Sequence, residues 1–330
     1  MTSVGRVEVP NIHILNISNG EFNLSALLQN QLCFLGQELV FADASETLQR
    51  ILGIQINAKQ IERVCHYYGE LLEQQLLRDI LMGGPAPSKT DGKRYYAMPD
   101  GGMVLTREEK WKEMKMVRIF AEDQRASVSK DRGYIGQSMY VAHLGKHRDF
   151  LRKTEYHLDS KSEIIIVADG APWIWKWAEA KYPDSIQILD FYHAKEHLCQ
   201  WAEIAFAKEE EKIKWIDFQS LLLLNDKVEA VIKNISKRPA FSSLSKEKKK
   251  SLLNYYYTHK ERMKYRTFKA QGLMIGSGPI EAAHKNVIQQ RMKLAGQRWT
   301  INGAQQIANL RTANKSNQWH KIINLASMAA

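Results

Sequence analysis

Hydrophobic and polar positions change their spacing along the chain, and these changes mark its elements. A run of β-branched residues at 164–167 ends at Asp169-Gly170, and a tryptophan-rich segment with helical spacing follows. This pattern predicts a buried strand, a tight turn and a helix. Ligands gather at the carboxyl ends of strands in open α/β sheets, which makes Asp169 a candidate for chemistry. A strand-end aspartate also often bonds only to the turn that it opens.

The segments around this unit predict a mixed sheet flanked by helices. Residues 93–102 predict a strand that ends at Asp100-Gly101. The pattern then predicts two more strands, at 109–123 and 138–144, and a helix at 147–158. These are followed by the strand at 164–167, the tryptophan-rich helix and a short strand before Asp190. Three antiparallel strands followed by crossovers are the plan of an α/β RNase H-like domain with a mixed sheet.

The pattern near the N-terminus predicts two helices around a glycine turn. Residues 42–52 form an amphipathic helix that stops at Gly53, and Asn57 is a good N-cap for the next helix. The shared core is predicted to contain Leu48, Leu52, Ile54, Ile61 and Val64. The residues predicted to point outward from the second helix are Lys59, Gln60 and Arg63. Such a pair suits insertion in a DNA major groove, although an ordinary helical hairpin has the same pattern.

The remaining segments complete the predicted division of the chain. Residues 84–92 are typical of a linker, and residues 193–269 are helical and highly charged, which is more often a solvated face than a DNA contact. The predicted divisions are an N-terminal arm (1–41), a helix-turn-helix-like DNA-binding region (42–90), the first part of the RNase H-like core (91–206), a helical insertion (207–269), and the last part of the core with the C-terminal tail (270–330).

The charge and the cysteines narrow the class of protein. Lys and Arg number 47 against 36 Asp and Glu, a net charge of +11, which favours a polyanionic partner such as DNA. The three cysteines are far apart and form no CxxC pair, so disulfides and a zinc site are not expected. No apolar run reaches the length of a membrane span, and the first residues lack the apolar core of a signal peptide. We therefore expect a cytoplasmic protein without a membrane partner.

Three acids stand out by their positions in these elements. Asp100 and Asp169 each precede a glycine at a predicted strand end, and Glu281 lies in the first turn of a late helix that begins at Pro279. Neighbouring strands bring the two aspartates together, and the late helix can deliver the glutamate. Carboxylates so crowded repel one another unless a cation lies between them. Oxygen ligands select Mg²⁺ or Mn²⁺, and two such ions per site suit phosphodiester chemistry.

Three segments then resemble a known family. They are ADGAPWIW (168–175), LDFYHAKEHL (189–198) and GSGPIEAAHKNVIQQRMKLAGQRWT (276–300), and they are similar to signatures of bacterial insertion-sequence transposases of the DDE superfamily, the ISKra-type branch in particular. The similarity extends from residues 35–53 to residues 310–316. The resemblance implies an RNase H-like fold, a helical insertion before the last acid, and a metal-binding catalytic triad of Asp100, Asp169 and Glu281.

Other residues have roles beside this triad. The flank of Asp100 departs from the family pattern, and Asp91 is its fallback. Asp190 is a rival for the second acid, but its strand should lie one place further from Asp100, so Asp190 and His193 are expected to support the site. A basic strip for contacts with the phosphate backbone comprises Lys285, Arg291, Lys293 and Arg298. Trp299 is expected in the core rather than stacked on a base.

The expected function is therefore a DNA transposase that binds terminal inverted repeats and target DNA, cuts phosphodiester bonds and joins the freed 3′-OH to the target. Synapsis of two ends implies a homodimer or a higher assembly. Two alternatives stay open: a DNA-binding regulator without catalysis, or a metal-dependent nuclease without strand transfer. Cleavage of any kind excludes the regulator, and a joined product excludes the nuclease.

Overall fold

A computed structural model describes residues 22–83, 92–129 and 132–329. Most of the predicted arm, nearly all of the predicted linker and the fallback acid Asp91 lie outside these ranges. Over the parts that it describes, no helix is both long and apolar enough to cross a membrane.

The protein has a five-stranded mixed sheet and a separate two-stranded hairpin. Its strands are β1 (Arg94–Thr106), β2 (Lys110–Ala121), β3 (Arg125–Ser129), β4 (Arg132–Ile135), β5 (Met139–Leu144), β6 (Glu163–Ala168) and β7 (Ile186–Leu189). The sheet order is β5-β2-β1-β6-β7, and β3 and β4 form the hairpin. β1 is antiparallel to β2 and parallel to β6, β2 is antiparallel to β5, and β6 is parallel to β7. This mixed α/β architecture is compatible with an RNase H-like fold.

The strand before Asp169 is central to the sheet. β6 lies between β1 and β7, and Ile165, Ile166 and Val167 are fully buried. The continuous β-branched run is therefore explained by burial on both faces of the strand. As expected, the strand that precedes Asp190 lies one place further from β1 than β6 does.

The position of Asp100 differs from the prediction. β1 does not end at Asp100-Gly101 but continues to Thr106, because its second half pairs with the first half of β2 around a tight turn. Asp100 therefore lies within a strand, opposite Met116. Ala97 of β1 pairs in parallel with Ile166 of β6, and Asp100 and Asp169 each follow their paired residue by three positions. Both acids thus lie at the same level of neighbouring strands.

The helices surround the sheet and continue to the C-terminus. They are α1 (Ala26–Glu38), α2 (Phe41–Leu52), α3 (Ala58–Leu81), α4 (His147–Leu158), α5 (Pro172–Lys181), α6 (Phe191–Ala205), α7 (Glu209–Leu223), α8 (Val228–Lys237), α9 (Ser243–His259), α10 (Tyr265–Ala270), α11 (Gly278–Ala283), α12 (Gln290–Met292), α13 (Ile301–Lys315) and α14 (His320–Ala329). A π-helical turn, His284–Gln289, joins α11 to α12.

The predicted glycine turn between α2 and α3 is confirmed, as are the residues that end α2 and cap α3. Gly53 ends α2 in the left-handed conformation, with φ of 68°, and the Asn57 side chain caps α3 by accepting from the backbone N–H of Gln60 at 2.8 Å. Leu48, Ile61 and Val64 are buried as expected, and Ile54 packs against them partly buried. Leu52 is 53% exposed, so its predicted place in the core is wrong: it is the last residue before the chain turns at Gly53.

These N-terminal helices pack against the end of the chain. Gly69 of α3 lies so close to Gln306 of α13 that a Cβ atom would clash with its backbone, and the Asn309 amide donates to the Gly69 carbonyl at 3.0 Å. α1 begins at Ala26, inside the segment predicted as the N-terminal arm, and Ser25 caps it by accepting from the Leu28 N–H. The role of α2 and α3 as a helix-turn-helix unit stays a prediction.

Candidate functional site

Asp100 lies in a half-buried position on β1. Its Oδ1 accepts from the backbone N–H of Gly101 at 2.7 Å, and its Oδ2 lies 3.6 Å from Nε2 of His284. Burial raises the pKa of Asp100; the nearby His284 opposes this, and the negative charge of Asp169 adds to it. Two acids that repel each other on neighbouring strands are the arrangement that a cation would stabilise.

Asp169 opens the turn between β6 and α5. Its Oδ1 accepts from the Ala171 N–H at 2.9 Å, and its carbonyl accepts from the Trp175 indole at 2.7 Å. Tyr255 of α9 covers this turn so closely that a Cβ on Gly170 would clash with its ring. Burial and the charge of Asp169 raise the pKa of Tyr255. One carboxylate oxygen of Asp169 thus bonds within the turn that the residue opens, which is the structural role that strand-end aspartates often have. Tyr255, on α9 of the predicted helical insertion, forms a wall of the site.

Glu281 lies beside Asp190 and His193. One possible ligand atom from each of these three residues lies within 4.8 Å of the other two, and across residues 22–83, 92–129 and 132–329 no other group of three or more His, Cys, Asp or Glu does so. Glu281 is exposed, in the first turn of α11 as predicted, and His193 is partly exposed. The ligand atoms of Asp100, Asp169 and Glu281 do not form such a group.

Asp190 is the fully buried member of this cluster. Its Oδ1 accepts from the His193 N–H at 2.9 Å and so caps α6, and its Oδ2 accepts from the N–H of Ser277. The next residue, Phe191, donates its N–H to the carbonyl of Ile275 at 2.9 Å. Asp190 therefore ties the end of β7 to the segment that leads into α11, which carries Glu281. These two buried hydrogen bonds are compatible with a supporting role for Asp190, which stays a prediction.

His284 approaches the site from the π-helical turn after Glu281. It is 4% exposed, and neither ring nitrogen makes a hydrogen bond within the described residues. A Cβ on Gly102 would lie 2.8 Å from its Nδ1, so the second glycine after Asp100 gives the ring its space. Burial lowers the pKa of His284, against the opposing charge of Asp100, which favours the neutral imidazole. π-helical turns occur frequently at functional sites, where they redirect a side chain.

His193 is the imidazole donor of the cluster with Asp190 and Glu281. A ligand atom of its ring lies within 4.8 Å of a ligand atom of each of these two acids. Carboxylates suit Mg²⁺ and Mn²⁺, and imidazole suits transition metals. The donors present therefore fit a divalent cation, and Mn²⁺ at least as well as Mg²⁺. The sequence placed Asp190 and His193 near the site by their spacing of three, but gave no signal for Tyr255.

The predicted DNA-contacting residues fall into an exposed set and one buried residue. Lys59 and Arg63 are exposed on the first turns of α3, with Gln60 partly exposed, and Lys59 pairs with Glu62 at 2.7 Å. The exposed residues of the predicted basic strip are Lys285, Lys293 and Arg298.

Arg291 is a correction to the predicted basic strip. It is 1% exposed, its guanidinium lies 4.8 Å from the ring centre of Phe41 and 4.9 Å from that of Trp299, and its Nε donates to the Gly36 carbonyl. Trp299 is 6% exposed and lies in the core as expected. Arg291 fastens α12 to the N-terminal helices and cannot reach a phosphate from this position.

Comparison with known proteins adds one distant relative. No family model matches the chain. The chain is similar to the UPF0236 protein in vanSb 3'region of Streptococcus gallolyticus, with 22% identity over 306 residues. The match covers 88% of this chain and 64% of the length of that protein, so the chain spans less than two thirds of it. The name of the relative states no activity.

Proposed function

We infer that this chain is a DNA transposase of the DDE superfamily, of the ISKra type that it resembles. It binds the terminal inverted repeats of its element, cuts phosphodiester bonds and joins the freed 3′-OH to target DNA. The observation that carries this proposal is the cluster of Asp190, His193 and Glu281, whose ligand atoms lie within 4.8 Å of one another. Asp100 and Asp169 add two acids at the same level of neighbouring strands.

The charges of the site and of the whole chain support the same substrate. Asp100, Asp169 and Glu281 would hold Mg²⁺ or Mn²⁺, with His193 as an additional donor beside Glu281. The ions would supply activation of a water or a 3′-OH and stabilisation of the leaving oxygen. The net charge of +11 attracts a polyanion to an otherwise acidic site.

Each group of residues then has a distinct task. Asp190 holds the segment before α11 in place, so that Glu281 faces the other acids. Exposed basic residues on α3 and around α12 contact the DNA backbone, and two copies of the chain hold the two ends together. Neither the cutting of the phosphodiester bond nor the joining of the 3′-OH requires a nucleophilic side chain.

A cleavage assay separates this function from its alternatives. Purified protein is incubated with DNA that carries the sequences flanking its gene on each side, in Mg²⁺ or Mn²⁺ and with EDTA as the control. We expect cleavage that Asp169→Ala and Glu281→Ala abolish, while Asp184→Ala, at an exposed position before β7, keeps it. Circular dichroism and urea unfolding establish that the variants are folded.

Each other outcome identifies a different protein. Binding without cleavage in any metal means a DNA-binding regulator. Cleavage without joining means a nuclease. Cleavage that survives in Glu281→Ala contradicts the assignment of the site, whichever function is present.

A further inference from the structure

A groove beside the acid site has no role in the function as proposed so far. It has a volume of about 1040 Å³ and lies between the β3–β4 hairpin and the start of α11. Its principal lining residues are Arg118, Arg125, Tyr134, Tyr192, Gly278 and Pro279. The hairpin was not predicted from the sequence, and it is separate from the main sheet.

Two tyrosines in this groove present their rings to solvent. Tyr134 of β4 is 61% exposed and Tyr192 of α6 is 66% exposed. Tyr192 lies against Gly276, where a Cβ atom would be 2.8 Å from its ring, so the glycine gives the ring a backbone surface to rest on. Exposed aromatic rings that line a groove are stacking platforms for unpaired bases, whereas the bases of a duplex are already stacked on one another.

The charge of the groove suits a nucleic-acid backbone. Arg118 is fixed by donating to the carbonyl of Pro279 at 3.1 Å, and the exposed Arg125 is held by donating to the Tyr96 hydroxyl and to the Gly272 carbonyl. The acid in the lining, Glu122, is paired with Arg94 at 2.6 Å and lies 3.7 Å from Arg125. The two arginines of the lining therefore exceed its one acid, which favours an anionic occupant.

Residues of the groove lie next to residues of the acid site along the chain. Tyr192 lies between Asp190 and His193 in the chain, and the lining residue Ala282 follows Glu281. A DNA strand with one phosphodiester at Glu281 has its next nucleotides within reach of this groove.

We propose that the groove holds unpaired nucleotides of the DNA strand next to the reacting phosphodiester, with bases stacked on Tyr192 and Tyr134 and the backbone near Arg125. This inference rests on the proposed function and adds a substrate requirement to it: the DNA is unpaired on one side of the cleavage site. The chain opens or captures frayed DNA there rather than holding a continuous duplex.

Binding without metal tests this groove separately from chemistry. Fluorescence anisotropy is measured in EDTA, at fixed ionic strength, with a labelled oligothymidylate of about 12 nucleotides and with a duplex of equal length. We expect Tyr192→Leu and Tyr134→Leu each to weaken single-strand binding by roughly 5- to 100-fold. Tyr192→Phe keeps the ring and should retain wild-type affinity. Tyr257→Leu, at a tyrosine on α9 that is 54% exposed and outside the groove, should bind as wild type.

The outcomes distinguish the groove from the proposed function. The proposal for the groove is overturned if Tyr192→Leu and Tyr134→Leu both bind single-stranded DNA with wild-type affinity. It is also overturned if Tyr257→Leu loses as much affinity as these two variants. A loss in Tyr192→Phe as large as in Tyr192→Leu also overturns it, because stacking is then not the cause. If the wild type cleaves DNA while the tyrosine variants bind normally, only the groove fails. If the wild type binds no DNA of either form, both proposals fail.

Discussion

Asp190→Ala is the substitution whose effect follows most directly from the structure. The carboxylate of Asp190 is fully buried and accepts from two backbone donors, the N–H groups of His193 and Ser277. Alanine leaves both donors buried without a partner, and each such loss costs about 1–3 kcal/mol. We therefore expect a decrease of about 2–6 kcal/mol in the free energy of unfolding. Asp190→Asn keeps one acceptor oxygen and should cost about half as much.

Urea unfolding at neutral pH measures this decrease as a shift of the midpoint at unchanged slope. Asp184→Ala is the matched control, because Asp184 is an exposed aspartate six residues earlier, and its unfolding should stay within about 0.5 kcal/mol of wild type. A shift as small as the control's in Asp190→Ala would refute the reasoning, since Asp190 would then not hold the segment before α11. Such a result would leave metal ligation as the reason for its burial beside Glu281.

Three further predictions concern charge. Burial and the charge of Asp169 raise the pKa of Asp100, so at neutral pH the ionised carboxylate lowers the stability of the folded protein. Asp100→Asn should therefore raise the melting temperature at neutral pH. The gain should vanish as the pH falls below the ordinary aspartate pKa of 3.8, where the carboxyl is protonated in both states. Arg291→Ala should lower the free energy of unfolding by about 2–4 kcal/mol in urea titrations, because the guanidinium packs between two rings; an unchanged midpoint would contradict this. Lys293→Ala should leave unfolding unchanged but reduce the salt dependence of DNA binding by about one counterion in anisotropy titrations; an unchanged slope would mean that Lys293 touches no phosphate.

Local signals explain why much of the fold was predictable. The β-branched run before Asp169 is a strand because the chain there is buried on both faces, and Gly53 and Asn57 end and begin helices by their own backbone and side-chain chemistry. These signals lie within a few residues of the element that they define. The helix at 147–158 was predicted with its observed bounds for the same reason.

Long-range contacts explain what the sequence did not predict. Asp190 and Ser277 are 87 residues apart, and their hydrogen bond sets the place of Glu281. Arginine is usually a surface residue, and Arg291 is buried because α12 packs it against Phe41 and Trp299. The continuation of β1 past Asp100 depends on pairing with β2, which no pattern within β1 indicates.

Strand transfer tests the central claim most directly. DNA ends from the flanks of the gene, already cut to expose a 3′-OH, are incubated with a supercoiled plasmid, Mg²⁺ or Mn²⁺, and either wild type or Glu281→Gln. We predict a joined product with wild type that EDTA and Glu281→Gln each abolish. The account would be contradicted if wild-type protein that binds the ends gave no joined product in either metal, or if Glu281→Gln joined them as well as wild type.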